Sequence, residues 1–255
     1  MTSMTLYVDR HSILHRLDPL TKLLYVFVSI AITFIYPNLY FALSIMAISL
    51  LLLVIGRVFI RILPIIAISL LLIISIIIVQ GIFHPQNETV FFTIASVSFY
   101  KEGLSYAALL TSRVINMISA FAVLILTTKP DELVDRLLRK GLPPKLGYIF
   151  LSIFQLIPQM QATMGKITDA QRSRGMETEG NLLTRIKAFL PLIGPLVLNA
   201  LNDTKERSLA IEMRGFNSKR KRSFIREEQT YTHSVFLNLL LLAALMITIL
   251  WRVFA

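Results

Sequence analysis

The sequence has 255 residues, of which 55% are hydrophobic and 16% charged, and its mean hydropathy is +0.68. Soluble domains contain about 45–50% apolar residues, so lipid is the expected solvent for much of this chain. The formal net charge is +11, and cysteine is absent. The lack of cysteine excludes disulfides, thiolate metal sites and cysteine nucleophiles.

Five long apolar segments run along the chain, four of them before residue 129 and one at the end. Each approaches or exceeds the roughly 17–25 residues that a helix needs to cross a hydrocarbon core. Their apolar character is continuous and does not alternate, which favours helices over a closed barrel. We therefore predict an all-α membrane protein with about five transmembrane helices, at residues 20–36, 39–55, 62–83, 104–128 and 235–254.

The distribution of basic residues predicts the orientation of these helices. Residues 129–228 contain 18 of the 26 lysines and arginines, against 11 of the 15 acidic residues. The other basic loops fall on the same side of the predicted topology, through Arg10, Arg16, Lys22, Arg57 and Arg61. The positive-inside rule then places the N-terminus in the cytoplasm of a multi-pass cell-membrane protein. Because the charge lies beside membrane spans, we do not expect a nucleic-acid partner.

This pattern divides the chain into an N-terminal membrane part (1–128), a cytoplasmic section (129–233) and a C-terminal transmembrane helix (234–255). The cytoplasmic section begins with a short helix, for which Thr127 or Thr128 is the expected cap, and which ends near Gly141. Near its other end, Lys219–Arg222 is a run of four basic residues. It is either a topology signal or an attachment to anionic membrane lipid.

Two longer amphipathic helices are predicted within this section, at residues 145–174 and 181–214. The first carries an apolar stripe with spacings of three and four residues, which indicates an interface or a partner surface; its members are Ile153, Ile157, Met160, Met164 and Ile167. Pro191 and Pro195 are expected to kink the second helix. The apolar runs at 146–157 and 188–201 are short for spans and either dip into the bilayer or pack beneath the other helices.

Both helices end in a similar way. Ala170 is followed by Arg174 and Gly175, and, 40 residues later, Ala210 is followed by Arg214 and Gly215. Glycine just beyond a helix supplies a left-handed cap, and arginine in the last turn is favourable for the helix dipole. An arginine projecting from such a tip is also suited to bind carboxylates and carbonyls in a groove of another protein.

With these features the sequence resembles the EcfT or CbiQ family, the transmembrane coupling subunits of energy-coupling-factor importers. The resemblance covers nearly the whole chain. The segment at 14–23 (LHRLDPLTKL) looks like the opening of the family, and the one at 142–146 (LPPKL) like its connector. The two helix tips resemble its Ala-Arg-Gly motifs, although Ser173 and Met213 stand where the family usually has alanine.

The resemblance implies that the tips bind two ABC-type ATPase subunits, through Ala170, Arg172, Ser173, Arg174, Gly175, Ala210, Met213, Arg214 and Gly215. It also implies that the apolar stripe contacts a small membrane protein that binds the substrate, a vitamin or a transition-metal ion. The chain itself is then a non-catalytic subunit without a cofactor, and ATP and magnesium belong to the partner ATPases.

Other functions are weakly supported by the sequence. It contains neither a Walker phosphate loop nor a His-Glu-x-x-His zinc motif, and His11 with His15 is a poor metal-site candidate. Arg113, within the fourth span, is expected to be an interhelical polar contact or a snorkelling residue, because no intramembrane carboxylate is available as a relay partner. The alternatives that remain are a permease of a conventional ABC importer and a self-contained secondary transporter.

Overall fold

The structure, a computed structural model, describes residues 7–8, 10, 12–94, 97–176, 181–216, 218, 231 and 233–254. A short 3-10 helix at Leu14–Arg16 precedes the first long helix. The α-helices are α1 (Pro19–Ile35), α2 (Leu39–Ile55), α3 (Phe59–Phe83), α4 (Lys101–Thr127), α5 (Pro130–Arg139), α6 (Pro144–Ser173), α7 (Leu182–Met213) and α8 (Ser234–Phe254). Strands β1 (Val90–Ile94) and β2 (Val97–Tyr100) form an antiparallel hairpin between α3 and α4.

The predicted all-α membrane fold is confirmed. Within the described residues, α3, α4 and α8 are long and apolar enough to cross a membrane. Helices α1 and α2 are apolar but have 17 residues each, a length of about 26 Å. They correspond to the first two predicted spans and lie at the short end of the spanning range.

The chain divides into two compact units. One unit contains α6 and α7, and the other contains the remaining helices and the hairpin. Helix α5 therefore groups with the membrane helices, whereas the sequence pattern placed it in the section that begins at residue 129. The reason is its contact with the start of α1, where Arg136 forms an ion pair with Asp18 at 3.5 Å.

Helix α4 is the central helix of the larger unit, in contact with α1, α2 and α3. Its C-terminal half is packed in an apolar cluster with the 3-10 helix, α2 and α3, formed by Leu14, Leu53, Val58, Ile62, Ala122, Val123 and Leu126. Burial of these side chains against one another fixes the ends of four helices at one edge of the bundle.

Polar side chains join the middle of the same bundle. Asn116 accepts a hydrogen bond from Ser49 Oγ at 2.6 Å and donates one to Ser29 O at 3.3 Å. Arg113 Nε donates to Thr33 O at 3.0 Å, and its guanidinium lies 4.8 Å from the centre of the Phe34 ring. Arg113 is thus an interhelical polar contact, as expected.

The structure differs from the sequence-based expectations in several places. The hairpin was not predicted, although its β-branched and aromatic residues suit strands. Helix α4 begins at Lys101, three residues before the predicted span. The threonine cap is wrong, because Lys129 is the N-cap of α5 and makes no side-chain cap bond. Helix α7 is continuous through both prolines.

The two threonines have other partners. Thr127 Oγ1 donates to Val123 O at 2.6 Å. Lys22 Nζ donates to Thr127 O at 2.9 Å and to Thr128 Oγ1 at 3.3 Å. The junction between α4 and α5 is therefore held by α1 and not by a capping threonine.

Candidate coupling interface

Helices α6 and α7 pack antiparallel to each other over part of their length. Gln159 Nε2 donates to Asp203 Oδ2 at 3.1 Å, and Gln159 Oε1 accepts from Arg207 Nη2 at 2.6 Å. Near the start of α6, the Tyr148 ring lies 5.2 Å from that of Phe216, at an angle of 64°. The beginning of α6 is therefore beside the end of α7.

The two helix tips have the same backbone structure. Gly175 and Gly215 have φ angles of +86° and +71°, the left-handed conformation that favours glycine. Beyond them, Met176 N donates to Gln171 O at 3.1 Å, and Phe216 N donates to Ile211 O at 3.2 Å. Both bonds span five residues, as in a Schellman motif, so the predicted glycine caps are confirmed at both tips.

The arginines before these glycines are exposed. Arg174 and Arg214 make no side-chain hydrogen bond or ion pair with any other residue that the structure describes, whereas Arg172 does have a partner. Met213 is 89% exposed, and the Ser173 hydroxyl is turned back to Asp169 O at 3.1 Å. Arg174 and Arg214 therefore have their guanidinium donors available for a partner.

The tips are far apart. Because Phe216 lies against Tyr148, the second tip sits near the start of α6. Arg174 lies 26 residues beyond Tyr148 on the same helix, a rise of about 40 Å. The predicted residues of each tip lie close to one another, but the two tips do not form a single site.

The predicted apolar stripe on α6 is partly exposed. Ile153, Ile157 and Met160 are 42–43% exposed, and Met164 and Ile167 are half-buried. Helix α7 also exposes apolar residues, including Phe189, Leu190, Val197, Leu198 and Leu201. Unpaired apolar area of this extent is typical of a protein or lipid interface.

Sequence analysis missed a cluster within the larger unit. Arg136 of α5 forms its ion pair with Asp18 and also lies 4.5 Å from the centre of the Tyr231 ring. Burial raises the pKa of Tyr231, and the nearby guanidinium partly offsets this effect. Arg136 therefore contacts both the start of α1 and the chain at Tyr231.

The signals for this cluster were present but weak. Asp18 caps α1 through a 3.3 Å bond from Leu20 N, and acidic N-caps are common for that reason alone. Its second role depends on Arg136, which lies more than 100 residues away. The basic run Lys219–Arg222 and His11 lie outside the described residues, whereas His15 uses both ring nitrogens in hydrogen bonds, to Ser12 Oγ and Val8 O.

Comparison with known proteins identifies the family. The family model of CbiQ, described as cobalt transport protein, matches residues 10–225. The chain belongs to the CbiQ family. The resemblance inferred from the sequence is thereby confirmed, and the match covers Asp18, Arg136 and both helix tips.

Individual members of this family are similar over most of their length. The energy-coupling factor transporter transmembrane protein EcfT of Bacillus subtilis (strain 168) is 30% identical over 262 residues, which cover 94% of this chain and 95% of the relative. EcfT of Listeria innocua is 31% identical over 233 residues, 86% of each chain. EcfT of Staphylococcus aureus (strain 04-02981) is 28% identical over 232 residues, 87% of this chain and 86% of the relative.

Proposed function

We propose that this chain is the transmembrane coupling component of an energy-coupling-factor importer. It has no catalytic step of its own. It transmits ATP-driven motion from two cytoplasmic ATPase subunits, which bind ATP and magnesium, to a small membrane subunit that binds the substrate. The substrate belongs to the vitamins or transition-metal ions and is selected by that other subunit.

The observation that carries this proposal is the pair of matching helix tips. Each presents an unpaired arginine on a glycine-capped helix end, and the two are about 40 Å apart along α6. A globular protein of about 250 residues has a radius of gyration of about 18 Å and therefore a full width of only about 45 Å. Two tips at this separation suit grooves on two ATPase subunits better than neighbouring sites on one.

The test is co-purification of the ATPases with variants of the full chain. We expect Arg174→Ala and Arg214→Ala each to weaken ATPase retention, because loss of one partner of a buried charge pair costs about 2–5 kcal/mol. The double variant should lose both ATPases and substrate uptake. Lys166→Ala and Lys205→Ala, which remove exposed lysines from the same two helices, are the matched controls and should retain both.

Wild-type retention in the double variant would contradict the proposal. Loss of the protein from the membrane would instead mean that the arginines are structural. We do not expect that loss, because Gly175 and Gly215 still cap the helices and an arginine near a helix end contributes only about 0.3–1 kcal/mol.

The orientation is part of the proposal, because the tips must face the cytoplasm. The chain has no native cysteine, so single cysteines can be introduced at Ser218 and Gln86, both of which are exposed. A membrane-impermeant maleimide added to intact cells should label Gln86→Cys and not Ser218→Cys. Labelling of Ser218→Cys from outside would exclude the cytoplasmic position of the second tip.

A conventional ABC permease would share the ATPases but would carry its own substrate path. Co-purification of a separate small membrane subunit that binds the substrate supports the coupling function. Substrate binding by this chain with ATPases alone would support the permease. The exposed apolar surface of α6 and α7 favours the first outcome, because it provides an area for such a subunit.

A further inference from the structure

A basic cavity lies at the edge of the helix bundle. Its volume is about 320 Å³, and it is lined by Ser12, Ile13, Arg16, Ile55 and Arg57. Leu14 is buried against Leu53, Val58 and Ile62, so the 3-10 helix is packed on the end of α2 and the start of α3. The cavity is therefore framed by parts of the chain that are held in place by the apolar cluster.

Arg57 has an unusual backbone conformation. Its φ angle is +55°, and among the described residues it is the only non-glycine residue with a positive φ. Hydrogen bonds hold it there: Arg57 N donates to Val54 O at 2.9 Å, and Val58 N to Leu53 O at 3.1 Å. Glycine normally occupies such a position after a helix. A non-glycine residue held in this conformation marks the loop as a candidate functional site.

The described residues that line the cavity bring two positive charges and no counterion. Neither Arg16 nor Arg57 makes a side-chain hydrogen bond or ion pair within the described part of the chain, and no acidic residue lines the cavity. Two guanidinium groups provide planar forks of donors that match a phosphate group. Beside them, Ile13 and Ile55 are 74% and 42% exposed, so the cavity combines phosphate donors with exposed apolar surface.

We propose that this cavity binds the phosphate headgroup of an anionic phospholipid. Arg16 and Arg57 hold the phosphate, and the acyl chains follow Ile13 and Ile55. A free phosphate would satisfy the arginines but would leave both isoleucines exposed. Basic pockets between membrane helices on the cytoplasmic side bind acidic lipid headgroups by the same chemistry. The inference shares the cytoplasmic orientation of the N-terminus with the function proposed above but does not depend on the coupling role.

The test uses tryptophan fluorescence of the full chain in phosphatidylcholine vesicles. The chain contains one tryptophan, Trp251, so a Trp251→Phe, Ile13→Trp chain reports from the cavity alone. Its fluorescence is measured with increasing dibrominated phosphatidylglycerol and, separately, with dibrominated phosphatidylcholine. We expect the anionic lipid to be preferred by about fivefold for each arginine.

Two variants of this reporter separate binding from folding. Arg16→Gln with Arg57→Gly should abolish the preference, and the chain should still fold because glycine relieves the strain at position 57. Arg61→Gln is the matched control, since Arg61 is exposed nearby and does not line the cavity, and it should keep the preference. Inorganic phosphate in the buffer should not reverse the quenching by the anionic lipid.

Three results would overturn the proposal. Equal quenching by the two lipids would show that the cavity does not select anionic headgroups. A preference that persists without Arg16 and Arg57 would place the interaction elsewhere. Reversal by inorganic phosphate would assign the cavity to a free anion instead of a lipid.

Discussion

Two regions of the molecule contain polar and apolar residues but bury them to different extents. One is the bundle of α1, α2 and α4, and the other is the pair of α6 and α7. Helix α4 buries eleven residues, among them Asn116, which bonds to Ser49 and Ser29 on the two neighbouring helices. In α6 and α7, by contrast, Gly147 and Leu192 are the only buried ones among the residues whose burial is described. The first region buries and largely satisfies the polar groups around α4, although its outer faces expose apolar side chains such as Phe27 and Leu51, whereas the second leaves both polar and apolar groups exposed.

This difference indicates which region requires partners. Polar groups buried in a bundle need internal hydrogen bonds, and those of α1, α2 and α4 largely have them. The arginine tips and the apolar surface of α6 and α7 have no equivalent internal contacts. We infer that the bundle folds as a scaffold and that α6 and α7 present their surfaces to other subunits.

Of the changes considered, substitution to glutamate should show the largest difference between the two regions. Val123 is 1% exposed and Ile157 is 42% exposed. Val123→Glu buries an unpaired carboxylate, which costs about 3–5 kcal/mol, and we expect the protein to be lost from the membrane. Ile157→Glu should change stability by no more than about 0.5 kcal/mol and reduce retention of the substrate-binding subunit. Immunoblots of membranes and co-purification measure the two effects.

Equal membrane levels of the two glutamate variants, or full retention of the substrate-binding subunit by Ile157→Glu, would contradict this contrast. Ile157→Leu provides the conservative control. It should behave as wild type in both measurements, because it keeps an apolar side chain on the exposed surface.

A matched pair of aspartates tests the cluster at the start of α1. Asp18 and Arg136 have side chains only 10% and 14% exposed. Asp18→Asn keeps the helix cap but leaves the guanidinium without its ion pair, and we expect a loss of about 3 kcal/mol. Asp135→Asn breaks a more exposed ion pair with Arg139, four residues along α5, and should cost about 0.5 kcal/mol or less. Thermal unfolding in detergent compares them, and equal shifts would exclude the anchoring role of Asp18.

Glycine substitutions give a smaller effect and test the tips without removing the arginines. Gly175 and Gly215 have room for a β-carbon but positive φ angles. Alanine at either position should therefore cost about 1–2 kcal/mol at the helix end and reduce ATPase retention. Gly165, inside α6 with open space around it, is the control, where alanine should stabilise the helix by about 0.5–1 kcal/mol. A loss of retention with Gly165→Ala would show that the tips are not the sensitive positions.

Much of this architecture follows from local patterns in the sequence. Apolar segments predicted the membrane helices, and the spacing of Arg174 and Arg214 before glycine predicted two matching helix ends. These features depend on neighbouring residues, which is why α6 and α7 end within one residue of the predicted bounds. The stripe from Ile153 to Met160 was also visible because a helix places residues three and four apart on one face.

Contacts between distant segments were not predictable in the same way. Asp18 with Arg136, Lys22 with Thr128, and Gln159 with Asp203 depend on how helices meet, and no local spacing specifies those pairs. The left-handed Arg57 was also missed, because glycine stands one residue earlier, at position 56, and is the residue expected there. Its conformation is determined by the bonds of the loop between α2 and α3.

Photo-crosslinking at the tips is the most direct test of the central claim, that they contact two ATPase subunits. Benzoylphenylalanine is placed singly at Ser173 and at Met213, beside the arginines and without removing them, and at Ile157 on the apolar stripe. The account predicts that positions 173 and 213 crosslink to ATPase subunits and that position 157 crosslinks to the membrane subunit. Crosslinks from position 157 to an ATPase, with none from positions 173 and 213, would contradict it.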